Sequence, residues 1–235
     1  GYTVATEMYS AGIDRLTHQP LSFSVSETTE GVHIHIIDAE LMGKGEKEKK
    51  DLYIEGVQNN GIINHYEYII NSEGTIEIRH VLKPEGKMPL WFPRIGLTLT
   101  VSDALDQVKW YGRGPQENYP DRKTGYPMGI YASTVQAMYE PYLMPQDYGL
   151  RTDVRWLQLT TDKGIGLQFK MNEWFNFNIY PYSTDNLTKA MYTYQLQKQK
   201  GMTLNLDYAT TGVGCTARGV FGAYKAVSYT HLTLP

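Results

Sequence analysis

An all-β fold of antiparallel sheets is what this 235-residue sequence predicts, on three observations. Apolar and polar residues alternate with period two in segment after segment, as half-buried strands require. Gly, Asn and Asp punctuate these segments at hairpin spacing. Helical periodicity is confined to one short stretch. Many short strands joined by turn chemistry imply a sandwich or barrel with at most one or two short helices.

The elements follow in chain order. Leu21, Phe23 and Val25 share one face of a strand, and Val32-His33-Ile34-His35-Ile36 repeats the pattern. Tyr53 to Val57 and Ile62 to Ile70 flank Asn60-Gly61, a hairpin turn signal. Thr75 to Arg79 leads into Val81 and Leu82, and Ile95, Leu97, Leu99 and Val101 form a further face. Trp156 to Leu159 and Ile165 to Phe169 flank Asp162-Lys163-Gly164, whose Gly supplies the positive φ of a tight turn. Trp174 to Ile179 and Met202 to Leu206 alternate again. The one helical signal spans Thr184 to Leu196: Ser183, Thr184 or Asp185 can cap it, and Leu187 and Met191 are four apart.

Composition narrows the function classes. Hydrophobic residues make up 41% of the chain and the net charge is -3. That is a globular composition without the basic patch that nucleic acid or an acidic membrane surface demands. The charge run Lys44 to Asp51 mixes signs and reads as a solvated loop. A single cysteine, Cys215, excludes an internal disulfide framework and a cysteine-rich zinc cluster, and reads as a buried small hydrophobe. No run nears the ~18 apolar residues of a membrane span, and the first residues carry no charged leader followed by an apolar core. Tyrosine is abundant, 19 against 6 Phe. Its flat face and polar handle suit half-buried sheet surfaces and also the C–H faces of sugars.

Residues 105 to 150 stand apart. Gly112, Gly114, Pro115, Pro120, Gly125, Pro127, Gly129, Pro141, Pro145 and Gly149 crowd this stretch. Their density predicts an irregular path in place of regular strands, and long ordered loops on a β scaffold carry function or interfaces. Glu117 and Asp121 are the local carboxylates. A retaining glycosidase needs two, about 5–5.5 Å apart. Asp121, however, adjoins Arg122, which predicts an ion pair, so both carboxylates read as structural or orienting rather than catalytic. His33 and His35 share a strand face and could hold a metal, but no third ligand is evident in the sequence. His65 and His80 read as ordinary strand residues. No nucleophile elbow, phosphate loop or dinucleotide fingerprint is present.

The thirteen residues Trp110-Tyr111-Gly112-Arg113-Gly114-Pro115-Gln116-Glu117-Asn118-Tyr119-Pro120-Asp121-Arg122 resemble the signature of the C-terminal, small-chain domain of glycoside hydrolase family 2 β-galactosidases. Further segments resemble that family in the same order: Ala11 to Leu16, Pro93 to Leu97, Tyr139 to Arg151, and Phe175 to Ile179 with Tyr182-Ser183. The agreement runs from about residue 11 to about residue 224.

The resemblance implies an antiparallel supersandwich, galactose-mutarotase-like in architecture, over residues 1–225. It implies an enzyme that hydrolyses terminal non-reducing β-D-galactose residues. Its catalytic Glu pair and its divalent metal would belong to a TIM barrel outside this chain, which would then hold no catalytic residue and no cofactor of its own. The expected partners are that barrel, or a large subunit, and in the whole enzyme a galactoside. Trp110, Gly114, Pro115, Gln116, Glu117, Asn118, Tyr119, Asp121 and Arg122, with Pro141, Tyr142, Pro145, Gly149 and Arg151, are the expected signature and barrel-facing residues. The family pattern departs at both ends, which reads as truncation. Residues 226–235 do not fit it and read as a non-native, poorly packed tail. Two other classes remain at this stage. One is an aldose epimerase using residues such as His80 and Glu117 as acid and base. The other is a carbohydrate-binding module.

Overall fold

A computed structural model of the chain describes residues 11–43, 60–86, 88–214, 222–227 and 233–234. The strands among them are β1 (Thr17–Thr28), β2 (Gly31–Leu41), β3 (Gly61–Ile70), β4 (Ile76–Glu85), β5 (Trp91–Phe92), β6 (Arg94–Val101), β7 (Gln107–Arg113), β8 (Met128–Thr134), β9 (Arg151–Thr160), β10 (Gly166–Tyr180), β11 (Met202–Thr210), β12 (Ala226–Val227) and β13 (Thr233–Leu234). The α-helix with both ends among the described residues is α1 (Thr184–Lys189). The fold is all-β, as the alternation predicts. The chain divides into two compact units, Gly1–Phe92 with Val227–Pro235 and Pro93–Ala226.

The first unit is a five-stranded sheet in the order β1-β2-β3-β4-β13, antiparallel throughout. The β3–β4 turn closes on Asn71, whose side-chain Oδ1 accepts from the amides of Glu73 and Thr75, each at 3.0 Å. That is the backbone-mimicking turn for which Asn is favoured. Gly61 departs from expectation. It opens β3, paired between Leu41 and Glu85, and is no turn residue. The face of Leu21, Phe23 and Val25 exists, but its residues are 41%, 68% and 54% exposed. β1 is an edge strand, so a neighbour shields its side chains on one side only.

The second unit is a six-stranded sheet in the order β6-β11-β10-β9-β7-β8. The predicted β9–β10 hairpin is present, with Gly164 at φ 79. Val108, Trp110, Val154, Leu157, Leu159, Phe175, Phe177, Ile179, Leu204 and Leu206 form its core, with Val135 and Met138 closing over them. Because β7 and β8 are regular strands, the irregular path predicted for residues 105–150 is confined to the segments around them. The glycines explain this. Gly112 and Gly129 sit opposite each other within the β7–β8 ladder, and a Cβ on Gly112 would lie 2.8 Å from Val154 Cγ2. Glycine here permits close approach of β9 instead of breaking the strand.

The helix is shorter than the pattern suggested. Ser183 caps it, its Oγ accepting from the Asn186 amide at 3.1 Å. α1 ends at Lys189, before a 3-10 turn at Thr193–Gln195. Leu187 is buried, whereas Met191 lies beyond the helix and is 55% exposed. Of the expected tail, Ala226 is buried and β13 pairs with β4 at Val81 and His80. Lys44 to Asp51, Tyr53 to Val57, Cys215, residues 228–232 and Pro235 lie outside the described residues.

Candidate functional site

Two segments singled out by sequence, 114–122 and 141–151, meet at one carboxylate. Glu117 is 5% exposed. Its Oε1 accepts from Arg122 Nη2 at 2.7 Å and from the Tyr142 hydroxyl. Its Oε2 accepts from the Gly149 amide at 2.9 Å and from the Tyr119 hydroxyl at 3.1 Å. Burial by itself would raise the Glu117 carboxyl. Donation from Tyr142, Gly149, Arg122 and Tyr119 outweighs it and holds the group below the usual carboxylate range. A carboxylate so held has no proton to donate and no free lone pair with which to attack. Its role is to tie the two loops together.

The neighbours complete the tie. Asn118 is fully buried. Its amide donates to the Leu150 carbonyl at 2.8 Å, and its Oδ1 accepts from the Thr152 amide and hydroxyl at 3.1 and 2.5 Å. Arg151 is 3% exposed. It donates to the Gly149 carbonyl at 2.9 Å and lies over the Trp110 ring at 5.4 Å. Trp110 itself is a core residue on β7, 1% exposed, donating to the Arg113 carbonyl at 3.1 Å. The side chains of Trp110, Asn118 and Arg151 are thus buried inside this unit. Tyr119, Gly114, Pro145 and Gly149 are buried as well, while Pro115, Gln116, Arg122 and Pro141 are exposed. The peptide bond between Gly114 and Pro115 is cis.

The predicted Asp121–Arg122 pair does not form. Arg122 reaches Glu117, and Asp121 instead accepts from the Val213 and Gly214 amides at 3.2 and 2.7 Å. Adjacent residues in this turn diverge, so sequence proximity gave the wrong partner. Two other basic residues of the stretch converge on Asp153: Arg113 Nε at 2.5 Å and Lys123 Nζ at 2.7 Å.

Sequence reasoning missed the polar floor beneath the second loop. At the Asn178 end of β10 and along β11 the polar residues of the alternation are buried, not solvated. Asn178 Nδ2 donates to Asp147 Oδ1 at 2.8 Å and to the Tyr148 carbonyl at 3.0 Å. Asn205 Nδ2 donates to Asn178 Oδ1 at 2.8 Å and receives the Thr98 hydroxyl on its Oδ1 at 2.8 Å. Arg94 lies 3.1 Å from Asp147 and 3.0 Å from Asp207. Asp207 is completely buried, and neither of its oxygens receives an aligned hydrogen bond. Burial therefore outweighs Arg94 and pushes its carboxyl up to about 7. The available signal was the residue type: Asn176 and Asn178 near the end of β10, and Thr203, Asn205 and Asp207 on β11, stand where a solvated face would carry Lys or Glu.

His80 belongs to the first unit and Glu117 to the second. His80 is buried, bonded to Asn64 Oδ1 at 2.9 Å and stacked on Tyr66, and burial lowers it to about 4. A cleft of about 440 Å³ in the second unit is lined by Tyr139, Tyr148, Tyr182, Asp103, Asp106 and Lys198. Among the described residues, one group has metal-ligand geometry, His33, His35 and Glu67 of the first unit.

The second unit is thus defined as an all-β domain whose loops are locked by a buried carboxylate that is not free for chemistry. The family description "Beta galactosidase small chain" matches residues 7–231, and the chain belongs to that family. A β-galactosidase of Vibrio cholerae is 31% identical over 207 residues, covering 88% of this chain and 18% of that protein. One from Priestia megaterium is 38% identical over 147 residues, 63% of this chain and 14% of that protein. One from Pseudoalteromonas haloplanktis is 34% identical over 148 residues, again 63% and 14%. The chain thus spans under a fifth of the length of these relatives.

Proposed function

We propose that this chain is the supporting domain of a glycoside hydrolase family 2 β-galactosidase that cleaves terminal non-reducing β-D-galactose residues. In this reading the catalytic Glu pair and a divalent metal reside in a TIM barrel outside the chain, and the two locked loops buttress that barrel and wall its active site. The observation that carries the reading is the Glu117 tie. It commits the signature carboxylate to holding loops, and the 141–151 loop it fixes presents Leu143 and Met144, 96% and 52% exposed. Apolar side chains held out on a rigid loop suit docking to another protein surface.

The test is hydrolysis of a chromogenic β-galactoside by the purified chain, alone and mixed with a barrel-containing partner lacking this region. No activity alone and activity on mixing support the proposal. Hydrolysis by the chain alone refutes it, and galactose mutarotation by the chain alone favours an epimerase. The tyrosine-walled cleft supports a second reading, a carbohydrate-binding module. Saturable galactoside binding without any activity, abolished by Tyr182→Ala, would favour it.

A further inference from the structure

The polar face of the first sheet sets His33, His35 and Glu67 around one point. Strand register is the cause: Ser24, His35, Glu67 and Arg79 form a single row across β1, β2, β3 and β4. His33, two residues from His35, projects from the same face. Glu67 Oε1 lies 3.7 Å from His33 Nδ1 and 3.9 Å from His35 Nε2. The ligand atoms of all three residues lie within 4.8 Å of one another. In a tetrahedral zinc site, ligand atoms about 2.0–2.1 Å from the ion sit about 3.3 Å apart. Closing the three onto one ion therefore asks each side chain to move by less than about 1 Å.

We propose that His33, His35 and Glu67 bind one first-row divalent cation of the zinc class, which staples β2 to β3. Two imidazoles and one carboxylate are donors that suit zinc and disfavour magnesium and calcium, which take oxygen ligands. The surroundings match such a site. Arg79 donates to Glu67 Oε2 at 3.1 Å, which orients the carboxylate and leaves Oε1 toward the histidines. The Arg79 charge is shared with Glu77 at 2.8 Å. Glu30 Oε2 lies 4.0 Å from His33 Nε2, the nitrogen that does not face Glu67. That nitrogen is buried without a hydrogen-bond partner. A metal-ligating imidazole commonly gives its second N–H to a carboxylate. His35 is half exposed, leaving an entry path and room for water as a fourth ligand.

Titration of the 235-residue chain with Zn²⁺ by calorimetry tests this. The expected result is saturable binding of one ion, a higher thermal midpoint with Zn²⁺, and no binding of Mg²⁺ at the same concentration. His33→Ala and His35→Ala should each weaken binding by more than about tenfold, and Glu30→Gln by up to about tenfold. His18→Ala should leave it unchanged. The imidazole resonances of the unmodified chain provide a readout that does not depend on variant folding. Those of His33 and His35 should shift with Zn²⁺, and those of His18, His65 and His80 should not. Absence of saturable binding, shifts confined to other histidines, or folded His33 and His35 variants that bind as tightly as the parent would overturn the proposal.

Discussion

At Glu117 four donors from two loops converge on one buried carboxylate, so the loss on substitution should exceed that of any single surface ion pair. Glu117→Gln places an amide where only acceptors fit. It should cost about 3 kcal/mol in urea unfolding. Arg122→Met removes one donor that is 49% exposed and should cost about 1 kcal/mol or less. Glu117 and Asp207 bring opposite pH dependences. The folded-state value of Glu117 is lowered. Its contribution is therefore complete above the unfolded value, about 4.3, and is lost as pH falls through the folded one. Asp207 is raised to about 7, so the native state holds an extra proton between about 4 and about 7. Its ionisation makes stability fall as pH rises through that window. Asp207→Asn should remove this slope, seen as a flatter urea midpoint between pH 5 and pH 8.

Among the elements, β7 and α1 allow sharp tests. A Cβ on Gly112 would meet Val154 Cγ2 at 2.8 Å and Val154 Cα at 3.0 Å. Gly112→Ala should cost about 1–3 kcal/mol by forcing β7 and β9 apart. The Ser183 cap is a local contribution to a six-residue helix, and Ser183→Ala should cost about 1 kcal/mol. Thermal unfolding of both variants beside the parent separates a strained sheet from a frayed helix. β10 and β11 supply the contrasting lesson. Their apolar residues build the core while their Asn and Asp residues build the bed of the 141–151 loop.

For the whole molecule, the prediction concerns assembly. Leu143 is 96% exposed, so Leu143→Asp should change the free energy of urea unfolding by less than about 0.5 kcal/mol. If the 141–151 loop docks on a barrel, the same substitution should reduce the activity recovered on mixing with a barrel-containing partner. Unchanged recovery would remove that loop from the interface. The outcome bears on the assembly alone, because the chain's own stability is insensitive to the change.

Sequence by itself determined the all-β class, the β9–β10 hairpin and a capped helix start within Ser183 to Asp185, and it singled out the 110–122 and 139–151 segments. Each rests on local chemistry: period-two alternation, glycine at positive φ, a hydroxyl at a helix start, a distinctive run of residues. Tertiary structure alone decided the partners. Arg122 pairs with Glu117 and not with its neighbour Asp121, because the turn points adjacent side chains apart. Trp110 became core because β7 is internal to its sheet. Glu67 became the third ligand candidate because register aligned β3 with β2. Pairing between residues tens of positions apart depends on register and loop closure, and no local pattern in the chain encodes either one directly.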